Sequence, residues 1–378
     1  MRLLLLLLPL AFGLAQTETT FEGFPSIELA NSKVSLTVTR RGATMARFVL
    51  QDDPGKLNPM WEPVRMAREL GQEQRRGGVG GHFVCVDGFG PVSAEEREAG
   101  LPGHGEAHSL DMKVIESARA GNVLTVTLRA ELPMLRENFT RTFRLVDGEQ
   151  VIYVDSELEN LLGFDRPAVW AEHATLGSPF LAPEVTVVDM PAARSQTRPY
   201  PAERSQRRTL ASGQDFTWPM APAISGELVD RRAVPVNADS MDHTTNLMDP
   251  NRELAYVTAL HLTEHLLFGY IFKREEYPWL QTWDNYPASR KMSRGIEFSS
   301  QPYDVPRREA ISLHRMFGAP TYRWLPAKSK ITSSFLLFYA RAPERFRKVD
   351  DVRLEDGRIV VIDKVAGERV ELPASRGL

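Results

Sequence analysis

Apolar and polar residues alternate along many short stretches of the chain, which indicates β-strands rather than helices. Residues 126–132, with the sequence VTLRAEL, alternate without a break, so one face of such a strand can lie on a core. Further strands are predicted at Val34–Thr39, Ala168–Ala171, Leu266–Phe272 and Phe335–Tyr339.

Two turn signals predict β-hairpins. Asp147-Gly148 lies between the apolar runs 143–145 and 151–154, and a glycine after an aspartate is a strong hairpin signal. Near the C-terminus, Ala366-Gly367 separates Arg358–Asp363 from Arg369–Leu372 in the same manner.

Helical periodicity is scarce, and Met60–Leu70 is the best predicted helix. Glycine and proline number 26 each, which favours many turns over long helices. Hydrophobic residues make up 42% and charged residues 25%, values that exclude a collagen, a coiled coil, a disordered chain and a polytopic membrane protein. The sequence therefore predicts an all-β fold, a large antiparallel β-supersandwich with few short helices.

The N-terminus has the pattern of a secretory signal. Arg2 is followed by a leucine run and by small residues up to Ala15, and the apolar run is too short to span a bilayer comfortably. We expect a signal peptide over 1–15, a single sandwich domain over 16–345 and a β-hairpin tail over 346–378 packed on it. After cleavage no membrane span remains, so we expect an exported protein, periplasmic or extracellular.

The charge balance limits the classes of molecule that the protein can bind, and the cysteine content limits its disulfides. Lys and Arg total 46 and Asp and Glu total 49, and the net charge of −3 predicts no attraction to nucleic acid and suits an uncharged sugar. Cys85 is the only cysteine, so no intramolecular disulfide can form. It lies in an apolar string, as expected of a small buried hydrophobe.

The polar, arginine-rich stretch Pro191–Asp215 allows two interpretations. It is either a long surface loop or a rim loop over a site, where it could meet an anionic group. Its arginines are Arg194, Arg198, Arg204, Arg207 and Arg208.

Polar and aromatic residues concentrate in separated segments, "GHFVCVDGFG", "LPGHGEAH", "EHATLGSPF", "YPWLQTWDNY" and "RGIEFSS". Their order and spacing resemble the galactose mutarotase-like superfamily, which includes aldose 1-epimerases and hexose-phosphate epimerases. The resemblance extends from about Ser26 to about Tyr339. It implies one β-supersandwich domain with a sugar cleft on one sheet, and no cofactor and no metal.

The resemblance also implies a catalytic trio. His104 matches the first family histidine, His173 the second, and Glu297 the glutamate of a late glycine-x-glutamate strand. The substrate-binding residues expected around them are His82, Asp87, Trp170, Trp283, Asn285 and Tyr286.

The chemistry of these residue types fits anomer interconversion. A base must take the proton of the C1 hydroxyl and an acid must protonate the ring oxygen, work that a carboxylate and a histidine can share. Under this hypothesis Glu297 is the base, His173 is the acid, and His104 donates a hydrogen bond near the ring oxygen.

Several alternatives stay open within this family. The family's arginine in the "GHFVCVDGFG" segment is missing, and its mid-chain substrate aspartate could be Asp242 or Asp249. A second register of the glutamate segment puts Ser299 at the catalytic position. The main rival hypothesis is a carbohydrate-binding protein on the same scaffold without catalysis. A structural or interaction domain without a sugar site is a third.

Two segments have histidine spacings that zinc enzymes use. His261–His265 fits the H-x-x-E-H pattern, which needs both histidines on one face of a helix. The flanks predict strands, with Thr263-Glu264 in a turn. His104 and His108 have the same spacing in a glycine-bearing loop.

Overall fold

The computed structural model describes residues 15–73, 78, 80–200, 207–236 and 239–378. The predicted signal peptide lies outside these residues except for Ala15, which opens the first strand. The helices are α1 (Pro63–Glu69), α2 (Ala94–Glu98) and α3 (Arg307–Leu313). The strands, in chain order, are β1 (Ala15–Phe21), β2 (Phe24–Ala30), β3 (Val34–Thr39), β4 (Thr44–Leu50), β5 (His82–Val86), β6 (Lys113–Ala120), β7 (Val123–Leu132), β8 (Glu137–Val146), β9 (Val151–Asn160), β10 (Arg166–Ala168), β11 (Trp170–Gly177), β12 (Thr186–Asp189), β13 (Ala192–Thr197), β14 (Asp215–Phe216), β15 (Met220–Pro222), β16 (Leu228–Asp230), β17 (Ser240–Met248), β18 (Leu254–His261), β19 (Leu266–Lys273), β20 (Trp279–Tyr286), β21 (Ser293–Ser299), β22 (Arg315–Met316), β23 (Ala319–Pro320), β24 (Arg323–Leu325), β25 (Lys330–Arg341), β26 (Asp351–Glu355), β27 (Arg358–Asp363) and β28 (Glu368–Pro373).

Two large sheets form the sandwich. Counted over the described residues, the larger sheet has eleven strands in the order β1-β2-β3-β4-β5-β11-β21-β20-β17-β13-β14. The second sheet, counted likewise, has eight strands in the order β12-β18-β19-β25-β9-β8-β7-β6. Neighbouring strands run antiparallel in both sheets. The prediction of an antiparallel β-sandwich with few short helices is confirmed.

The individual predicted elements also have counterparts. The hairpin at Asp147-Gly148 joins β8 to β9, and Val34–Thr39 coincides with β3. The predicted helix Met60–Leu70 begins later, at Pro63, because proline suits the first helical turn, where its missing N–H costs nothing. The predicted strand Ala168–Ala171 is divided between β10 and β11.

The main hydrophobic core lies between the two large sheets. Phe48 of β4 and Phe268 of β19 meet across it in an edge-to-face contact with ring centroids 6.4 Å apart. Because side chains alternate along a strand, half of them point away from this core, and apolar residues on that outer face must be covered by other parts of the chain.

The C-terminal segment supplies that cover for the eight-stranded sheet. Strands β26, β27 and β28 form a sheet of their own, so the predicted hairpin is present and is extended by one strand. Ile359 and Val361 of β27 pack with Leu267 and Phe338, which lie on the outer face of the eight-stranded sheet. The division of the chain at residue 345 stays a prediction.

A buried ion pair crosses the interlayer core. Arg141 of β8 and Glu172 of β11 are both fully buried, and Arg141 Nη2 donates to Glu172 Oε1 over 2.6 Å. Burial alone would raise the pKa of Glu172, but the Arg141 charge and the hydrogen bond from His82 more than offset it, so the pKa is lowered. The two sheets are thus joined by a charge pair under the strand that carries His173.

We predict that Arg141→Met destabilises the protein by about 3–5 kcal/mol, because it leaves the Glu172 carboxylate buried without its cation. Urea unfolding measures the change. Arg144→Met, three residues along β8, is the control, since its partner Asp155 is half exposed and an exposed pair contributes less than about 1 kcal/mol. Equal losses in the two variants would contradict the importance of the interlayer pair.

Candidate functional site

A row of side chains crosses the outer face of the eleven-stranded sheet. Phe83 of β5 lies opposite His173 of β11, and the register of β11 with β21 places His173 opposite Glu297. Glu297 lies opposite Gln281 of β20, which lies opposite Thr245 of β17. Residues opposite each other on antiparallel strands share a face, so this row is set by the register alone.

A cavity of about 270 Å³ opens above this row. Its volume is close to the lower end of the range for small-molecule pockets. All three residues of the predicted catalytic trio line it. The lining residues are Trp61, Phe83, Phe89, His104, His173, His243, Trp283, Glu297 and Asp304.

The His104 loop holds its imidazole in one tautomer. The backbone of His104 has a positive φ of 65°, and its N–H donates to Gly90 O over 2.9 Å. In return Gly90 N–H donates to His104 Nδ1 over 3.2 Å. Since Nδ1 is an acceptor, the proton of the neutral ring is on Nε2, which makes that nitrogen a donor. Gly105 must be glycine here, because a Cβ would lie 2.1 Å from Val86 O.

Burial keeps His104 neutral. It lowers the pKa of His104 to about 4, helped by the neighbouring His108. His108 lies near by, with its ring centroid 6.1 Å from that of His104. Over the ranges that the structure describes, no group of three or more histidine, cysteine or acidic side chains could hold a metal ion.

His173 is held by an aromatic neighbour. Its ring stacks on Phe83 with centroids 4.2 Å apart and meets the His104 ring edge to face at 5.1 Å. Its Nδ1 is 3.1 Å from Thr175 Oγ1 on the same strand. Burial, together with the charge that His104 could carry, lowers the pKa of His173 well below its ordinary value. The histidine is therefore neutral at pH 7.

Glu297 faces His173 without a full hydrogen bond. Its Oε1 lies 3.3 Å from His173 Nε2, and among the described residues this buried oxygen has no hydrogen-bond partner. Burial raises the pKa of Glu297 to about 8, against a smaller opposing effect of Arg198. Gly295 leaves the room for the carboxyl group, because a Cβ there would lie 2.2 Å from Glu297 Oε1. An unpartnered acceptor thus points into the cavity beside a histidine.

Trp283 and Trp61 form an aromatic wall of the cavity. Their rings meet edge to face at 5.9 Å, and Trp283 is also 6.4 Å from the His173 ring. Trp283, one of the expected substrate-binding residues, lines the cavity. Trp61 was not among the predicted site residues, because it precedes α1 and nothing near it in the sequence indicates that it faces a strand more than 200 residues away.

His243 also lines the cavity and was not among the predicted site residues. It lies opposite Trp283 on β17, and its Nδ1 contacts the hydroxyl of Tyr200 and, at 3.4 Å, Nη1 of Arg208. Two residues of the arginine-rich stretch, Tyr200 and Arg208, therefore contact a side chain that lines the cavity, and its Arg204 lies outside the described residues. The alternation in SMDHTTNLM puts His243 on the face opposite to Asp242, which was the available signal.

Three predicted binding residues lie in the interlayer core instead. His82 Nε2 is 2.8 Å from Glu172 Oε2, and Trp170 Nε1–H donates to the same carboxyl group over 3.1 Å. Tyr286 is also buried, and its hydroxyl donates to Asp284 Oδ1 over 2.8 Å. Because their strands turn these side chains inward, burial removes His82, Trp170 and Tyr286 from the candidate binding set.

Asp87 and Asn285 do not line the cavity either. The Asp87 carboxylate is buried, accepts the Val169 N–H over 3.1 Å and pairs with Arg166 and Arg307, so its charge is compensated inside the protein. Asn285 is on the cavity face of β20, one pleat beyond Trp283. Asp87 is corrected to a structural ion-pair residue.

The residues of the open alternatives for the aspartate and the glutamate differ in where they lie. Asp242 faces inward and accepts the backbone N–H groups of Thr209 and Leu210 at 3.0 and 3.1 Å, while Asp249 caps a surface turn. Neither lines the cavity. Ser299 is buried, and its hydroxyl donates to Gln301 O, so Glu297 is the member of β21 at the cavity.

The H-x-x-E-H segment is a strand–turn–strand connection, as predicted. His261 ends β18, residues 262–265 form the turn, and β19 follows. The N–H of Glu264 donates to His261 Nδ1 over 3.1 Å, so this histidine caps the turn. Within the described residues, no helix is long and apolar enough to cross a membrane.

We predict that NMR of protein labelled with ¹⁵N-histidine shows His104 as the neutral Nε2–H tautomer, unprotonated down to about pH 4. The Gly90 N–H requires an acceptor at Nδ1, and burial disfavours the cation. His104→Gln assigns the signal, and the urea-unfolded protein, in which histidine titrates near 6.5, is the control. A proton on Nδ1, or titration near 6.5 in the folded protein, would contradict the assignment.

No family model and no curated protein matches the sequence. Solved structures do match. A putative aldose 1-epimerase from Klebsiella pneumoniae superposes with a TM-score of 0.61 at 14% identity, over 87% of this chain and 83% of that one. A galactose mutarotase-like protein from Clostridium acetobutylicum gives 0.59 at 12% identity, over 87% and 99%. A galactose mutarotase related enzyme from Lactobacillus acidophilus gives 0.58 at 13% identity, over 87% and 100%. The chain thus has the galactose mutarotase-like β-sandwich fold.

Proposed function

We propose that the protein is an exported isomerase, similar to aldose 1-epimerases, that interconverts sugar anomers by acid–base ring opening. The observation that carries the proposal is the Glu297–His173 pair, 3.3 Å apart in an aromatic-walled cavity. The names of the matching proteins, which include aldose 1-epimerases and mutarotases, support the same chemistry. Export is proposed from the leucine-rich N-terminal pattern.

Ring opening moves two protons. The C1 hydroxyl gives its proton to a base, its electron pair forms the C1 carbonyl, the bond from C1 to the ring oxygen breaks, and the ring oxygen takes a proton from an acid. After rotation about the bond between C1 and C2, the reverse transfers close the ring on the other face. We assign Glu297 as the base and His173 as the acid.

The two residues act as a pair that carries one proton. The pKa of Glu297 is raised to about 8 and that of His173 is well below 6.5, so at neutral pH the pair binds a single proton, located on Glu297. When a sugar hydroxyl approaches the carboxyl group, this proton must pass to His173 across the 3.3 Å gap. One acid and one base are then ready at the same time.

His104 completes the site as a fixed donor. Its Nε2–H requires no rearrangement to donate to the ring oxygen or to a neighbouring hydroxyl, because the Gly90 N–H already holds the tautomer. A donor fixed in advance stabilises charge as it develops on oxygen. Trp283 and Trp61 offer apolar surface to the sugar ring.

We expect the wild-type protein to speed the anomerisation of at least one sugar in a polarimetric panel of neutral aldoses and hexuronic acids. Glu297→Gln should lower that rate at least about a hundredfold, since it removes the proton acceptor. Circular dichroism checks that the variant is folded. Glu157→Gln is the matched control, because its carboxyl group pairs with Lys330 on the surface of the other sheet. If no sugar of this panel reacts faster with wild-type protein, the catalytic proposal is wrong and the carbohydrate-binding alternative remains.

We expect kcat/KM to fall as the pH rises through about 8, because the Glu297–His173 pair then loses its only proton. Rates measured between pH 6 and 10 by NMR exchange test this. Trp283→Phe keeps the Glu297–His173 pair, so its kcat/KM should fall over the same pH range. A rate that rises through pH 8 would instead mean that the carboxylate alone limits the reaction.

A further inference from the structure

At the β17 end of the cavity, next to its lining residues Glu297 and His243, hydrogen-bond donors lie without acceptors. Gln281 Oε1 accepts the Asp304 N–H over 3.2 Å, which orients the amide and leaves Nε2 as its free donor. This Nε2 is buried and has no partner among the described residues. His243 adds a second donor, because Arg208 can only donate to its Nδ1 and the ring proton is therefore on Nε2.

Two guanidinium groups lie behind these donors. Arg198 pairs with Asp304 and is nearly buried. Arg208 stacks on the Tyr200 ring at 3.5 Å, and its buried Nε has no hydrogen-bond partner in the described ranges. Within the described ranges the contacts of Arg208 are with the Tyr200 ring and with His243 Nδ1, and neither of these is a carboxylate.

At this end of the cavity one positive charge, that of Arg208, has no negative partner among the residues that the structure describes. Arg198 and Asp304 compensate each other, and Arg208 remains. His243 is neutral, because burial and the two neighbouring arginines hold its pKa well below the ordinary value. A half-buried guanidinium without a counter-charge is costly, and a bound anion would relieve that cost.

We propose that the sugar bound in this cavity is a uronic acid, whose carboxylate accepts hydrogen bonds at the end formed by Gln281, His243 and Arg208. The inference rests on the proposed function, since it names the substrate class of the same site. A carboxylate has one charge and planar acceptor oxygens, which suit one guanidinium. A phosphate would bring a second negative charge close to Asp304, and an uncharged hydroxymethyl group would leave Arg208 uncompensated.

Binding to the Glu297→Gln variant tests the inference without requiring catalysis. Calorimetry at low salt would compare glucuronate and galacturonate with glucose, galactose and glucose 6-phosphate. We expect each uronate to bind about tenfold or more tightly than its parent hexose, and the difference to shrink with added salt. Equal affinities for uronate and hexose overturn the inference, and tighter binding of the 6-phosphate overturns the choice of a carboxylate.

Arg208→Gln, made in the Glu297→Gln background, should lower the affinity for uronate about tenfold and lower that for hexose less. Arg207→Gln is the matched control, since it removes the same charge one residue earlier. The Arg207 Nε donates to Asp239 Oδ1 over 2.9 Å, away from His243. Thermal unfolding checks that both variants fold. Equal losses of uronate affinity in the two variants overturn the role of Arg208.

The two proposals fail separately. A wild-type protein that anomerises neutral aldoses but binds uronates no better than hexoses keeps the isomerase function and overturns this inference. A protein that binds uronates tightly, loses that preference in Arg208→Gln and speeds no anomerisation supports the inference about the ligand and overturns the catalytic function.

Discussion

The charge pair between Arg141 and Glu172 is the constraint on which the cavity depends. Both groups are out of water, and each is tolerable only with the other present. Glu172 points into the core, so its neighbour His173 must point the other way. A slip of β11 by one residue would expose the carboxylate to the cavity and bury the histidine between the sheets. The interlayer pair therefore selects the register that presents His173.

Exclusion of water determines the chemistry of the outer face. Glu297 and His173 are displaced in opposite directions from their ordinary pKa values, and burial is the largest cause for both. A carboxyl group that holds its proton beside an imidazole that remains neutral reverses the order of proton affinity that these two groups have in water. Phe83, Trp61 and Trp283 line the cavity around this pair, and both members of the pair are buried.

Much of the architecture could be predicted from the sequence, because alternation and turn residues act locally. The alternation of side chains along a strand also indicates which of the predicted site residues can share a face. Trp170 and His173 are three residues apart on one strand and cannot share a face, and the same holds for Trp283 and Tyr286. Applied strictly, this rule excludes Trp170 and Tyr286 as sugar contacts on the face that presents His173 and Trp283.

The remaining errors and omissions concern pairing between distant strands. Nothing near Trp61 or His243 in the sequence shows that each meets Trp283, because those contacts follow from packing and register over long separations. The inward position of His82 likewise depends on the pairing of β5 with β11.

The C-terminal three-stranded sheet has a consequence for the solubility of the protein. It covers an outer face of the eight-stranded sheet that contains Tyr256, Leu267 and Phe338, all of them buried. If the chain ended before Asp351, that apolar face would lie open to water as a broad, nearly flat patch, and such patches associate. The C-terminal sheet contributes no residue to the cavity lining, but it keeps this apolar face from associating with other copies of the protein.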